Sequence, residues 1–158
     1  MACYRLIIHG RLPGLNEYID AERRSRYLGA KVKSDAERAI RTEIAAQLRQ
    51  VKIRQPVRML YRWYESSRRR DKSNVCAYGR KVIEDALVGA GVLENDGWGE
   101  IDGFVDRFFV DGENPRVEVF LCTADAPGIE SWSQIIAWEP PPKKPRRKRA
   151  PGKKDAGK

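Results

Sequence analysis

"NVCAYGRKVIEDAL", residues 74–87, decides the fold. At about 100° per residue, Val75, Cys76, Gly79, Val82, Ile83, Ala86 and Leu87 fall on one side of a helix, while Asn74, Tyr78, Lys81, Glu84 and Asp85 fall on the other. The apolar side has to pack on something, and the flanking segments supply it. Upstream, "PVRMLYRWYES" (56–66) alternates as a strand. Downstream, "EIDGFVDRFFVD" (100–111) and "PRVEVFLC" (115–122) read as two more strands, joined at the turn cluster "DGENP". A helix between strands, with its apolar face on a sheet, is the signature of a layered α/β domain.

Working towards the N-terminus, "CYRLIIHGRL" (3–12) is rich in β-formers and stops at Pro13-Gly14. The next stretch, "PGLNEYIDAERRSRYLGAKVKS", carries Gly29, two tyrosines and the basic residues Arg23, Arg24, Arg26, Lys31 and Lys33. It reads as a mobile loop able to face an anion. Ser34, with Glu37 three residues on, then forms a capping box for a helix from about Asp35 to Gln50, whose apolar stripe is Ala36, Ala39, Ile40, Ile44 and Leu48. The expected order is β-α-β-α-β-β, an α/β (α+β) domain with a small mixed sheet and two main helices. No internal repeat appears.

The chain's 158 residues fit one domain with a tail. Cys3, Cys76 and Cys122 are odd in number and widely spaced, with no C-x-x-C pair, which argues against a disulfide framework or a zinc knuckle and for buried thiols in a reducing, cytosolic setting. No run is long enough for a membrane span, and the N-terminus lacks the charged and apolar regions of a signal peptide, so a soluble, unexported protein is expected.

Formal net charge is +9, but residues 140–158 ("PPPKKPRRKRAPGKKDAGK") hold nine Lys/Arg and one Asp, leaving +1 for residues 1–139. A segment so poor in apolar residues cannot offset its ordering entropy by burial. The expected division is one folded domain at 1–139 and a disordered basic tail at 140–158. The tail is either a solubility device or a salt-sensitive phosphate binder. Between them, "IESWSQIIAWE" (129–139) reads as a packing element or part of a dimer contact, with base stacking by Trp132 or Trp138 as the alternative.

The chemistry gathers around the central helix. Asp71 sits before its N-terminus after Arg68, Arg69 and Arg70, Lys81 lies on its polar face, and Asp96 follows on the loop. Two carboxylates with a lysine and arginines suit metal-assisted phosphodiester chemistry, in which carboxylates hold Mg²⁺ and the lysine stabilises developing charge. Each residue also has a plain structural reading. Asp71 serves as a helix cap, Asp96 as a turn former, and Lys81 with Asp85 as a surface ion pair.

Together "RRRDKSNV", "KVIEDALVGAGV" and "LENDGWGEI", with "LPGLNEY" and "NPRVEVFL", resemble the RusA-like Holliday junction endodeoxyribonucleases (crossover junction resolvases) of bacteria and their phages, over roughly residues 4–122. The resemblance implies a small α/β homodimer in a bacterial cytoplasm, encoded by the host or a prophage, that nicks four-way DNA junctions in recombination and repair. It also implies Mg²⁺, or alternatively Mn²⁺, as cofactor, with no nucleotide cofactor and no membrane. Carried over by position, Asp71, Lys81 and Asp96 are the catalytic residues. Asp71 and Asp96 are metal ligands, with Asp85 and Glu94 as further candidates, and Ser73 and Asn74 occupy the helix N-terminus. Arg23, Arg24, Arg26, Lys31, Lys33 and Arg68 to Arg70 would hold DNA phosphates, which positions DNA without reading sequence.

Two departures matter. Seven residues separate Asn74 from Lys81 where founding members have three, but four extra residues add about one helical turn and keep Lys81 on its face, four residues from Asp85. Ser73 stands where the D-x-D-N signature has its second aspartate, and serine is a poorer Mg²⁺ ligand that reads as a helix N-cap. Three explanations follow. Glu94, Glu84, Asp85, Asp102 or water completes a working site, or the chain is a non-catalytic descendant that binds branched DNA. The third is a basic-tailed RNA- or ribosome-associated module. The single histidine, His9, lies in a strand and leaves Ser-His-Asp or histidine-rich metal chemistry unsupported, and no P-loop is present.

Overall fold

The computed structural model describes residues 3–123. The segment at 129–139, with Trp132 and Trp138, and the basic tail at 140–158 lie outside them. Seven elements follow in the order β1 (Cys3–His9), α1 (Leu15–Arg24), α2 (Arg26–Gln47), β2 (Val57–Glu65), α3 (Lys72–Gly89), β3 (Ile101–Val110) and β4 (Arg116–Thr123). The strands form one mixed sheet in the order β1-β4-β2-β3. Strand β4 is antiparallel to both β1 and β2, and β3 is parallel to β2. The parallel β2–β3 pair requires a crossover, which α3 provides. The turn after β3 then carries the chain across the end of β2, where Asp111 N–H bonds the Glu65 carbonyl at 2.8 Å.

Strand alternation sends Val57, Met59, Tyr61 and Trp63 of β2 into a core shared with Leu6, Ile8, Val117, Val119 and Leu121. From the helices this core receives Ala36, Ile40 and Ile44 of α2 and Val75, Cys76, Val82, Ile83, Ala86 and Leu87 of α3. Each residue assigned to the apolar side of the central helix is buried. Gly79 lets the helix come close, because a Cβ there would lie 2.7 Å from the Trp63 ring. Leu60 and Phe120 form a second, small cluster with Val105, reached from the alternate positions of the strands.

The mixed α+β class and both main helices agree with the sequence reading, but four local expectations do not hold. The stretch expected as a mobile loop is helical: α1 occupies Leu15–Arg24, and α2 begins at Arg26 and ends at Gln47. Leu15 and Tyr18 pack against the core, which supplies burial that local composition did not advertise. Gly29, taken as a loop signal, is buried inside α2, where a Cβ would meet the Glu22 side chain at 2.4 Å. It marks a close helix approach.

The caps also differ. Ser25 caps α2 by accepting from Leu28 N–H at 3.1 Å, so Ser34 lies in the helix interior. Asp71, not Ser73, is the N-cap of α3, with no side-chain capping bond, and Ser73 lies within the first turn. Tyr78, placed on the polar face by the wheel, is buried and stacks on Tyr18 of α1 at 4.6 Å between ring centroids. Finally, Cys3 and Cys122 are joined as a disulfide, because the β1–β4 register sets them directly opposite with Cα atoms 4.0 Å apart. A separation of 119 residues hid that pairing from the spacing argument. Cys76 is the buried free thiol.

Candidate functional site on the polar face of α3

Lys81 is the meeting point. Its ammonium donates to Asp85 Oδ1 at 2.7 Å, one turn along α3, and to Asp96 Oδ2 at 2.6 Å on the loop leaving the helix. Lys33 of α2 approaches the other Asp85 oxygen at 3.2 Å. Three separate segments thus bring two carboxylates and two ammonium groups together, and the i,i+4 spacing of Lys81 and Asp85 fixes half of it from local geometry. The hydrogen bonds that Lys81 donates to Asp85 and Asp96 hold its ammonium well above its usual pKa against a smaller desolvation effect. Burial raises the Asp85 carboxyl, but the hydrogen bonds from Lys81 and Lys33 outweigh it and leave it below the ordinary carboxylate value. Glu84 adjoins the cluster from the partly buried side, accepting from Tyr61 OH at 3.0 Å. Burial pushes its carboxyl up, with the Asp96 charge adding to the rise and the Tyr61 bond and Arg80 opposing it.

The other expected site residues separate into distinct places. Asp71 is exposed at the opposite end of α3, ten residues before Lys81, about 15 Å of helix rise. It lines an open cleft of about 890 Å³ with Glu65, Ser67, Arg68, Arg70, Lys72, Ser73, Val75, Phe108, Phe109 and Val110. Asn74 faces α1, its Oδ1 accepting from Asn16 N–H at 2.9 Å. Glu94 pairs with Arg54, and Asp102 with Arg58 at 2.8 Å, so neither reaches Lys81 through a bond described here. Among the described residues, no group of three or more His, Cys, Asp or Glu side chains is arranged to hold a metal ion.

The basic residues divide in the same way. Arg23, Arg24 and Arg26 are exposed around the α1–α2 corner, and Lys31 pairs with Asp35 at 2.8 Å. Arg68 and Arg69 are exposed beside the cleft. Arg70 is committed to the fold: it donates to both Glu65 oxygens at 2.7 and 3.0 Å and to the Leu12 carbonyl at 3.0 Å.

One residue near this site, Trp98, has no place in the sequence reading, and one is placed differently. Lys33, expected on a loop that holds DNA phosphate, lies on α2 and pairs with Asp85. Trp98, two residues beyond Asp96, projects fully into solvent at 101% relative exposure. The run "NDGWG" carried its only local signal, an aromatic between glycines in a turn.

In chemical kind, Asp85 and Asp96 fit Mg²⁺, a hard ion that commonly takes one or two protein carboxylates and completes its shell with water and phosphate oxygens. No helix among the described residues is long and apolar enough to cross a membrane. No protein-family model matches the chain, and no curated protein matches it.

Proposed function

We propose that the protein is a RusA-like, structure-selective endodeoxyribonuclease that resolves four-way DNA junctions by metal-dependent phosphodiester hydrolysis. It would act as a homodimer, whose twofold axis suits paired nicks on opposing strands, and come from a bacterial host or prophage gene. The observation that carries this reading is the Lys81 ammonium held between Asp85 and Asp96 on an accessible face. Asp96 and Asp85 are the residues that would hold Mg²⁺ or Mn²⁺, which when bound would supply charge neutralisation at phosphate and an acidified water. Lys81 supplies a fixed positive charge where negative charge develops in phosphoryl transfer. Arg68 and Arg69, exposed on the loop that leads into Asp71, offer contacts to the phosphate backbone.

The test is to incubate the full chain with a labelled four-way junction and a linear duplex of matched sequence, with and without Mg²⁺. Symmetric, Mg²⁺-dependent nicking of the junction alone is expected, and equal cutting of both substrates would refute junction selectivity. A second reading, a binding-only descendant for branched DNA, is favoured by the distance of Asp71 from Lys81 and by the neutral Ser73 beside Asp71. Tight junction binding with no nicking at any Mg²⁺ or Mn²⁺ concentration would establish it.

A further inference from the structure

Trp98 is the most exposed large apolar side chain among the described residues, and its backbone lies in a hydrogen-bonded turn. Glu100 N–H and Ile101 N–H both bond the Gly97 carbonyl, at 3.2 and 3.0 Å, which closes a turn with Trp98 near its tip. Asp96, on one side of that turn, is anchored by Lys81, and Ile101, on the other, begins β3. The ring therefore stands on a short, tethered loop. An indole carries a large apolar area, and a fully exposed one on a closed turn offers its ring faces for stacking.

Its neighbours define that occupant. Two residues span at most about 7 Å, so the Trp98 backbone lies within one short reach of Asp96, whose carboxylate holds the Lys81 ammonium. An apolar protein partner would meet charged side chains immediately around the indole. A nucleic acid presents an aromatic base to the ring, every base offers a π-face, and its phosphodiester is the group proposed above to meet the Lys81 cluster. We propose that Trp98 stacks on a nucleobase unpaired at the branch of a DNA junction, holding the adjoining phosphate against the Lys81–Asp96 cluster. This rests on the branched-DNA reading above and adds to it the residue that engages the opened base.

The test measures binding of the full chain, without divalent metal, to a four-way junction, a linear duplex and a single-stranded oligonucleotide of the same sequence. Wild type is compared with Trp98→Ala and Trp98→Phe. The expected result is that Trp98→Ala weakens junction and single-strand binding about fivefold to a hundredfold, leaves duplex binding and the melting temperature unchanged, and that Trp98→Phe recovers most of the loss. Unchanged affinity in Trp98→Ala would overturn the proposal, as would an equal loss on all three DNAs or an equal loss for Phe and Ala. Sedimentation of the same variants closes the remaining route: if Trp98→Ala turns a dimer into a monomer as affinity falls, the indole belongs to a second copy and the proposal is overturned. Should wild type not prefer junction over duplex, the junction-resolving reading fails, and the single-strand comparison still decides whether Trp98 stacks on a base.

Discussion

Replacing Lys81 by Met separates a working site from a structural ion-pair network. The Lys81 side chain is 59% exposed, and its partners Asp85 and Asp96 are partly exposed, so each pair belongs to the screened class worth about 0.2–1 kcal/mol. The raised Lys81 pKa is for the same reason not read as stability. Asp85 retains Lys33 after the substitution, which limits the charge left without a partner. Lys81→Met should therefore cost less than about 2 kcal/mol in urea unfolding, with an unchanged denaturant slope. Junction nicking is expected to respond far more. Removing one preorganised group that stabilises transition-state charge typically costs about 10²–10³ in rate, roughly 2.7–4 kcal/mol. Single-turnover nicking, measured at protein concentrations that saturate the junction, reads the second quantity without contamination from binding. A stability loss above about 3 kcal/mol would mean that the lysine is chiefly a structural tie, beyond what exposed pairs supply. Nicking at the wild-type rate would remove Lys81 from the mechanism altogether.

Three other perturbations probe the fold and the far end of α3. Gly79→Ala adds a Cβ 2.7 Å from the Trp63 ring, so overpacking of about 1–3 kcal/mol should exceed the roughly 1 kcal/mol gain in helix propensity and lower the melting temperature; a rise would show that Trp63 yields freely. Tyr78→Phe should stabilise the protein at neutral pH, because the Tyr78 hydroxyl is buried with no hydrogen-bond partner among the described residues. Burial raises the Tyr78 pKa from 10.0 to about 12, so the unfolded chain ionises first and stability falls as pH rises from about 10 through about 12. Alkaline unfolding of Tyr78→Phe should accordingly lack that part of the slope, and an identical slope would count against it. Ser73→Asp places a carboxylate in the first turn of α3, worth about 0.3–1 kcal/mol at the positive helix end, with no gain in nicking expected; onset of Mg²⁺-dependent cleavage from an inactive wild type would establish the binding-only reading.

The sequence by itself determined the elements whose signal is local. The α3 stripe from Val75 to Leu87, the β-rich run of β2 and the i,i+4 pairing of Lys81 with Asp85 were all legible, because each depends on residues within a turn or two of one another, whereas the burial of β2 on both faces comes from the sheet. Tertiary structure alone decided the rest. The segment before residue 35 becomes two helices because Leu15 and Tyr18 find a core and Gly29 permits α1 and α2 to touch, and neither condition is written locally. Tyr78 turns inward because Tyr18 of α1 waits for it. Cys3 meets Cys122 only through the register of the first strand on the last. Lys33 joins Asp85 because α2 crosses α3, whereas ten residues of rigid helix keep Asp71 from Lys81. A helix transmits proximity over about four residues and enforces distance over ten, so spacing in the chain revealed the first relation, and only the fold could show the others.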